Sequence, residues 1–348
     1  MLNLEMAVND AIFRIRRDYE RTKGKIFLSF SGGKDSTVLA ELIKMADLPT
    51  KIPFVFANTR IEFDATLRFV KNYDYENIVI VQPRKPFGQI LKEYGKPVLS
   101  KIKSNNLSTY QKHIENPLDY YRARVLITGE KERKGAIKTG ERSKFALADK
   151  HFHFLHPDLE YKIANMCCTY MKKYPFDDFA KENDMLGTFT GIRVAEGGAR
   201  AVNYKSCVQV KRKNGKEFIM SMPLFDWSDE LVDEFVEKYN VKLSDAYTVY
   251  GCNRTGCVGC PFGQNLEKEL EMTYKHEPKR YKAAIKWLGD VYIDQGVRLE
   301  FDPEYMKRFE ERWKINEKRR EEMLKKFENV RLKNKIKPKQ MSIFDYEE

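Results

Sequence analysis

Apolar and polar residues alternate in blocks along the first ninety positions. Lys25 to Lys44, "KIFLSFSGGKDSTVLAELIK", opens as an apolar run and closes with apolar residues at helical spacing. Between the halves sits Ser31-Gly32-Gly33-Lys34-Asp35-Ser36. "KIPFVFANT" is a second apolar run ending at Asn58-Thr59, and "EFDATLRFVKNYD" sets Phe63, Leu67 and Val70 at helical spacing. "NIVIVQP" is a third run, closed by Pro83. Strand, helix, strand, helix, strand with short links predicts a doubly wound parallel sheet of the Rossmann-like α/β class. Ligands of such sheets bind beyond the carboxyl ends of the strands, where the Gly-Gly loop and Asn58-Thr59 both fall.

The pattern then changes. "MLNLEMAVNDAIFRIRRDYERT" ahead of the first strand reads as an amphipathic helix, and residues 94–150 show no clear strand. "PDLEYKIANMCCTYMKKYPFDDFAKEND" reads as helix, Pro-marked break, helix. "MLGTFTGIRVAEGGAR" reads as a strand leading into a Gly- and Arg-rich loop. "FIMSMPLFDWSDELVDEFVEKYNV" gives a strand-like run and a helix capped by Ser228, with Trp227 packing at the helix start. "YGCNRTGCVGCPFG" must be loop, and from about residue 266 the chain is mostly helical and charged, with Tyr305, Phe309, Trp313 and Asn316 spaced for one packed face. The expected organisation is an α/β domain over 1–225 with an insertion at 94–150, a cysteine-rich region over 226–275, a helical basic extension over 276–335, and a flexible tail over 336–348.

Charge sharpens this picture. Residues 94–150 hold 13 Lys/Arg against 6 Asp/Glu and residues 303–339 hold 14 against 7, so these two segments carry more than the chain's whole net charge of +12. Localised excess of this kind suits a polyanion such as DNA or tRNA, and solvated helix faces give similar counts. No apolar run approaches the roughly 18 residues of a membrane span. The N-terminus lacks the order of a signal peptide, so a cytoplasmic protein with no membrane partner is expected. There, six cysteines argue for metal or redox use rather than a disulfide framework.

Two glycines let the loop turn its N–H groups inward, and the following helix adds its positive end. Lys34 supplies a point charge, while Ser31 and Ser36 offer hydroxyls. The spacing is not that of the Walker loop. Ser31 to Ser36 resembles the pyrophosphate-binding loop of the PP-loop ATP pyrophosphatases, in the branch that holds the phosphoadenylyl-sulfate (PAPS) reductases. That branch's Asn-Thr-Gly and Phe-Pro-Glu-Thr appear here as Asn58-Thr59-Arg60 and Glu62-Phe63-Asp64-Ala65-Thr66, a clear but imperfect match. Its Thr-Gly-x-Arg-x-x-Glu-x-x-x-Arg pattern appears as Thr190 to Arg200. The resemblance implies an adenine nucleotide alpha-hydrolase-like fold. It also implies that Ser31, Gly32, Gly33, Lys34, Asp35 and Ser36 hold the phosphates of ATP or of phosphoadenylyl sulfate, with Asn58 and Thr59 positioning the nucleotide. Arg193 and Arg200 offer planar forks for phosphate or sulfate oxygens, and Lys34, Asp35 and Arg193 are the catalytic candidates. Asp35 would either help hold Mg²⁺ or cap the helix start.

Cys167-Cys168, then 88 residues, then Cys257-x-x-Cys260 is a specific arrangement, with Gly256 and Gly259 relieving the turn. Four thiolates suit tetrahedral zinc or a cubane iron–sulfur cluster. The spacing resembles the [4Fe–4S] site of cluster-bearing adenylyl-sulfate reductases, which implies that cluster, with zinc as the alternative. Cys252 could replace one ligand, and Cys207 reads as a buried small apolar residue. His151, His153 and His156 in "KHFHFLHP" could suggest a metal site, but no carboxylate joins them at ligand spacing, and Phe152, Phe154 and Leu155 between them read as core.

One departure bears on the chemistry. The sulfonucleotide reductases carry a nucleophilic cysteine in a C-terminal Glu-Cys-Gly context, whereas here the last cysteine is Cys260. ATP pyrophosphatase chemistry is therefore the first expectation: adenylation of a substrate, which could be nucleic acid, followed by sulfur transfer, as the resemblance to DNA-phosphorothioation enzymes implies. Reductive release of sulfite from an adenylyl sulfate is the second, and a nucleotide-binding adaptor at DNA with a structural cluster the third. Gln340-Met341-Ser342-Ile343-Phe344 is similar to the short peptide by which bacterial DNA enzymes dock to the sliding clamp.

Overall fold

The computed structural model describes residues 3–130, 143–197, 204–213 and 216–335. Two compact units emerge, Met1–Phe87 with Cys168–Val258, and Gly88–Cys167 with Gly259–Glu348. Two of the three points where the chain passes from one to the other fall inside the cysteine motifs, between Cys167 and Cys168 and between Val258 and Gly259.

The first unit is built on a six-stranded sheet. β1 (Ile26–Ser29), β2 (Phe54–Ala57), β3 (Ile78–Val81), β4 (Gly187–Phe189), β5 (Val208–Lys213) and β6 (Lys216–Ser221) lie in the order β3-β2-β1-β4-β6-β5. All neighbours are parallel except β5, which pairs antiparallel with β6 as an edge hairpin. The expected doubly wound sheet is therefore present, with one antiparallel edge. β5 reads "VQVKRK", too polar to announce itself as a strand. Because the chain runs outward through β2 and β3 and then returns to place β4 on the other side of β1, the topological switch point lies between β1 and β4.

Both faces of this sheet are covered, so its central strands are apolar throughout rather than alternating. Ile26 and Leu28 of β1, with Phe54 and Phe56 of β2, face a core shared with α1 (Leu4–Arg21) and α2 (Lys34–Met45). Phe27 and Val55 point the other way, to Phe179 and Phe176 on the helix Tyr174–Glu182. Each fully buried Phe of this kind contributes about 1.5–3 kcal/mol. α1 is the amphipathic helix its sequence predicts, capped by the Asn3 side chain, which accepts from the Met6 N–H at 2.8 Å. Ser228 caps the helix Asp229–Lys238 by accepting from the Leu231 N–H, and Trp227 is buried against it.

The segment expected as helix before Cys167 is not helical. A π-helical turn, Thr169–Lys173, instead follows Cys168 and runs directly into Tyr174–Glu182, with Pro175 in its first turn. Proline supplies no N–H to the preceding turn, and the wider π spacing, in which Tyr174 N–H reaches back to the Thr169 carbonyl, falls immediately before it. Cys207 is only partly buried, at the start of β5.

The second unit is helical, and the stretch that looked irregular contains the helices Lys101–Lys112 and Tyr121–Thr128. Tyr305, Phe309 and Asn316 are buried along one face of the helix Pro303–Lys326, and Trp313 stacks on Phe309. Asp294, fully buried, is held by Arg312 at 2.6 and 2.8 Å, by Asn316 at 2.7 Å and by the Tyr161 hydroxyl at 2.7 Å. His151 and His153 are buried beside it, as core residues. No helix among the described residues is long and apolar enough to cross a membrane.

Candidate functional site

At the switch point the chain leaves β1 at Phe30 and turns through Ser31–Gly33 into α2. Gly32 has φ +67°, and a Cβ there would lie 2.9 Å from Val70 Cγ2 and 3.0 Å from Thr66 Cγ2. Glycine is thus demanded twice, by backbone conformation and by the close approach of α3 (Asp64–Lys71). The loop is braced internally. Ser31 Oγ and Ser36 Oγ are 2.9 Å apart, Ser31 N–H donates to Ser36 Oγ, and the Ser36 and Thr37 hydroxyls both donate to the Gly33 carbonyl. The N-terminus of α2, with Gly33 at its cap, opens onto this turn.

Arg193, just beyond β4 on the other side of the switch point, is buried with its guanidinium fully engaged. Nε donates to Asp35 Oδ1 at 2.9 Å, Nη2 to Asp229 Oδ1 at 2.6 Å, and Nη1 to the Trp227 carbonyl at 3.2 Å. Gly191 packs on the loop itself, since a Cβ there would stand 3.0–3.1 Å from the backbone of Asp35 and Ser36. Arg193 therefore holds Asp35 rather than presenting an open fork. Asp35 lies in the first turn of α2, where a carboxylate also meets the helix's positive end.

Two groups of the loop are occupied by the chain's own oxygens. The Lys34 N–H donates to the Tyr247 hydroxyl at 3.0 Å, and Lys34 Nζ pairs with Asp233 Oδ1 at 2.5 Å. Thr255 meets the same phenol oxygen, through its hydroxyl at 3.1 Å and its N–H at 3.3 Å.

Asn58 and Thr59 follow β2. Asn58 Oδ1 accepts from the Arg60 N–H, shaping a turn in which Arg60 has φ +64°. Thr59 is buried, and both its hydroxyl and its N–H donate to the Glu62 carboxylate, at 2.6 and 3.1 Å. Glu62 then joins this strand end to the cysteines. Its backbone pairs with that of Cys257, Val258 N–H donates to the Ile61 carbonyl at 2.7 Å, and Lys172 Nζ stands 3.7 Å from Glu62 Oε1. Lys172 also donates to the Cys257 sulfur, with Cys168 nearby. Burial pushes the Cys257 thiol up, against the pull of the Lys172 ammonium.

No disulfide joins any of the six cysteines. Of the four proposed metal ligands, Cys168 and Cys257 belong to the first unit, and Cys167 and Cys260 belong to the second. Gly259, in the Cys257–Cys260 turn, is fixed in the second unit by Glu269, which accepts from its N–H, and by the Tyr292 hydroxyl, which donates to its carbonyl. Among the described residues, no three His, Cys, Asp or Glu side chains converge to hold a metal. The Lys172 ammonium beside the Cys257 thiol favours a thiolate there, which suits one ligand of a thiolate-bound centre.

The loop residues, Asn58, Thr59 and Arg193 are thus described, whereas Arg200 and Gln340–Phe344 lie outside the described residues. Sequence reasoning did not find Lys172, Asp229, Asp233, Tyr247 or Thr255, and it placed Glu62 in a motif without giving it a role. Lys172, four residues after Cys168 and ahead of the Pro175 break, carried the one local signal.

Comparison with known proteins gives a consistent result. A family model described as the phosphoadenosine phosphosulfate reductase domain matches residues 25–143 and 130–262. An uncharacterized protein of Methanocaldococcus jannaschii is 37% identical over 307 residues, 83% of this chain, and the chain spans about half (48%) of that relative's length. Among solved structures, PAPS reductase from Candida auris, in a phosphate complex, is 13% identical, covering 69% of this chain and 84% of its own, with a TM-score of 0.38. FMN adenylyltransferase from Candida glabrata is 14% identical over 74% of this chain and 62% of its own, with a TM-score of 0.42.

Proposed function

The chain belongs to the phosphoadenosine phosphosulfate reductase domain family, and from that premise we propose that it is an ATP pyrophosphatase that adenylates an acceptor for sulfur transfer. The observation that carries the reading is the carboxylate of Asp35, locked by Arg193 at the mouth of a glycine loop and at the positive end of α2. A fixed carboxylate beside a phosphate cradle suits a nucleotide that arrives with a divalent cation. A bare phosphosulfate would gain nothing from it.

In this reading Ser31, Gly33, Lys34 and Ser36 hold the β- and γ-phosphates, and Asn58 and Thr59 position the nucleoside. An acceptor oxygen attacks the α-phosphorus, the bond to the bridging oxygen breaks, and pyrophosphate leaves with the electron pair. Lys34 and the α2 N-terminus neutralise the charge that develops there. A sulfur nucleophile then displaces AMP from the adenylated acceptor. Asp35 would hold Mg²⁺, which when bound neutralises phosphate charge.

A thiolate-bound cluster or zinc belongs to the reading as a separate element, supported by the Cys-Cys and Cys-x-x-Cys spacing. No chemical step above depends on it. The basic stretch that includes the helices Lys101–Lys112 and Tyr121–Thr128, with the basic helix Pro303–Lys326, makes DNA or tRNA the acceptor class to try first. The Asp35 reading is tested by equilibrium binding: ATP with Mg²⁺ should bind far more tightly than ATP with chelator, and Asp35→Asn should abolish that difference. Binding of phosphoadenylyl sulfate that exceeds ATP binding and ignores both changes would favour the reductase instead.

A further inference from the structure

The two strongest anion-binding groups of the loop, the Lys34 N–H and the Lys34 ammonium, are both satisfied by oxygens of the chain itself. The Tyr247 phenol oxygen accepts from two backbone N–H groups, those of Lys34 at 3.0 Å and Thr255 at 3.3 Å. An oxygen taking N–H bonds at a helix N-terminus stands as a phosphate oxygen would. Asp233 Oδ1, at 2.5 Å from Lys34 Nζ, stands as a second. Gly33 faces the same groups, with Thr255 Oγ1 at 3.1 Å and Tyr247 Oη at 3.3 Å from the position of an added Cβ.

We propose that Tyr247 and Asp233 are internal stand-ins for phosphate, and that nucleotide binding expels them, unseating the segment that carries Tyr247. The inference rests on the phosphate-binding reading above and adds a coupling to it. That segment is built to let go. Its helix, Asp245–Thr248, is a single turn, and Ala246 is its one fully buried side chain. Val249 is 61% exposed, and the ion pair from Arg68 to Asp245, at 3.7 Å, lies between two exposed side chains. The attachment to the loop is by hydroxyls rather than by apolar packing, and the segment's apolar contacts, such as Tyr250 edge-on to Phe63, lie away from the loop. The same segment continues through Cys252 to Cys257, whose backbone is paired at Glu62. Phosphate in the loop and the seating of the cysteine-bearing segment thus become alternatives, in the sense that a ligand favours the state it binds better.

The test uses the full chain with magnesium pyrophosphate as the probe. Calorimetry should show Tyr247→Phe binding about fivefold more tightly than wild type, the effect of removing one ordinary competing hydrogen bond. Asp233→Asn, which keeps the fold should Tyr247→Phe lose it, should shift affinity in the same direction. Amide hydrogen exchange of the wild type should slow at 31–37 and quicken at 245–255 when pyrophosphate is added. Protection of both stretches, or unchanged or weaker binding by both variants, would overturn the inference while leaving phosphate binding intact. If no form slows exchange at 31–37, the phosphate reading falls, and this inference with it.

Discussion

Arg193 Nε lies 2.9 Å from Asp35 Oδ1, across the switch point between β1 and β4, the two residues being 158 positions apart in the chain. The guanidinium is only 4% exposed, and it also binds Asp229 and the Trp227 carbonyl. It therefore acts as a positioning residue for the loop carboxylate. Arg193→Lys cannot reproduce three directed bonds from one planar group. It should lower stability by about 2 kcal/mol, reduce kcat and raise the KM for ATP, since both depend on the Asp35 carboxylate that it holds. Steady-state kinetics beside thermal melting check this, and unchanged kinetics in a destabilised variant would leave Arg193 a purely structural part.

Gly32→Ala combines a positive φ with a Cβ pressed against Val70 and Thr66. The conformational cost alone is about 1–2 kcal/mol, and relief of the contact must move α3 or the loop. Pyrophosphate affinity should fall at least about tenfold, equivalent to roughly 1.4 kcal/mol, while the far-ultraviolet circular dichroism stays the same. Retained affinity would mean that the loop does not hold phosphate in this conformation.

Glu62 receives both the hydroxyl and the N–H of Thr59 and pairs with Lys172. Glu62→Ala leaves a buried threonine hydroxyl and N–H without their acceptor, a loss of about 1–3 kcal/mol. The change should both weaken ATP binding and raise the reactivity of Cys257 towards a mild alkylating agent, because the Glu62 carboxylate holds the Cys257 thiol pKa up. Mass-spectrometric mapping of the alkylated thiol separates that result from general unfolding.

His151 supplies a pH dependence. Burial, with the neighbouring His153 and Lys150 charges, lowers its pKa to about 4, and neither ring nitrogen has a hydrogen-bond partner among the described residues. An unfolded histidine titrates near 6.5, so between pH 6.5 and 4 the unfolded chain binds the extra proton. Stability is complete above about pH 6.5 and is lost as pH falls towards 4, by roughly 3 kcal/mol from this group. His151→Leu should flatten that acid limb in denaturant titrations and, by removing unsatisfied ring nitrogens, raise stability at pH 5.

Local patterns made part of this architecture legible and left the rest hidden. Ser31 to Ser36 and Asn58-Thr59 could be read because apolar runs flank them and strand ends are where ligands bind. The parallel core could be read because β1 and β2 are apolar on both faces. β5 could not, since an edge strand need not be apolar. Nor could Tyr247 and Asp233, which reach Lys34 from 213 and 199 residues away and carry no local mark. Arg193 was found by its motif, but its partners changed its meaning: an arginine bound to two carboxylates and a carbonyl orients a neighbour rather than awaiting an anion. The apolar spacing before Cys167 suggested helix where the chain forms none, since period alone does not decide short segments.

The central claim is that the loop serves ATP. Anaerobically purified protein should be incubated in parallel with magnesium ATP and with phosphoadenylyl sulfate, each with DNA and with tRNA, and pyrophosphate and sulfite measured separately. The account predicts pyrophosphate and AMP from ATP in the presence of one acceptor, lost in Asp35→Asn, and no sulfite. Sulfite from phosphoadenylyl sulfate without any ATP turnover would contradict it.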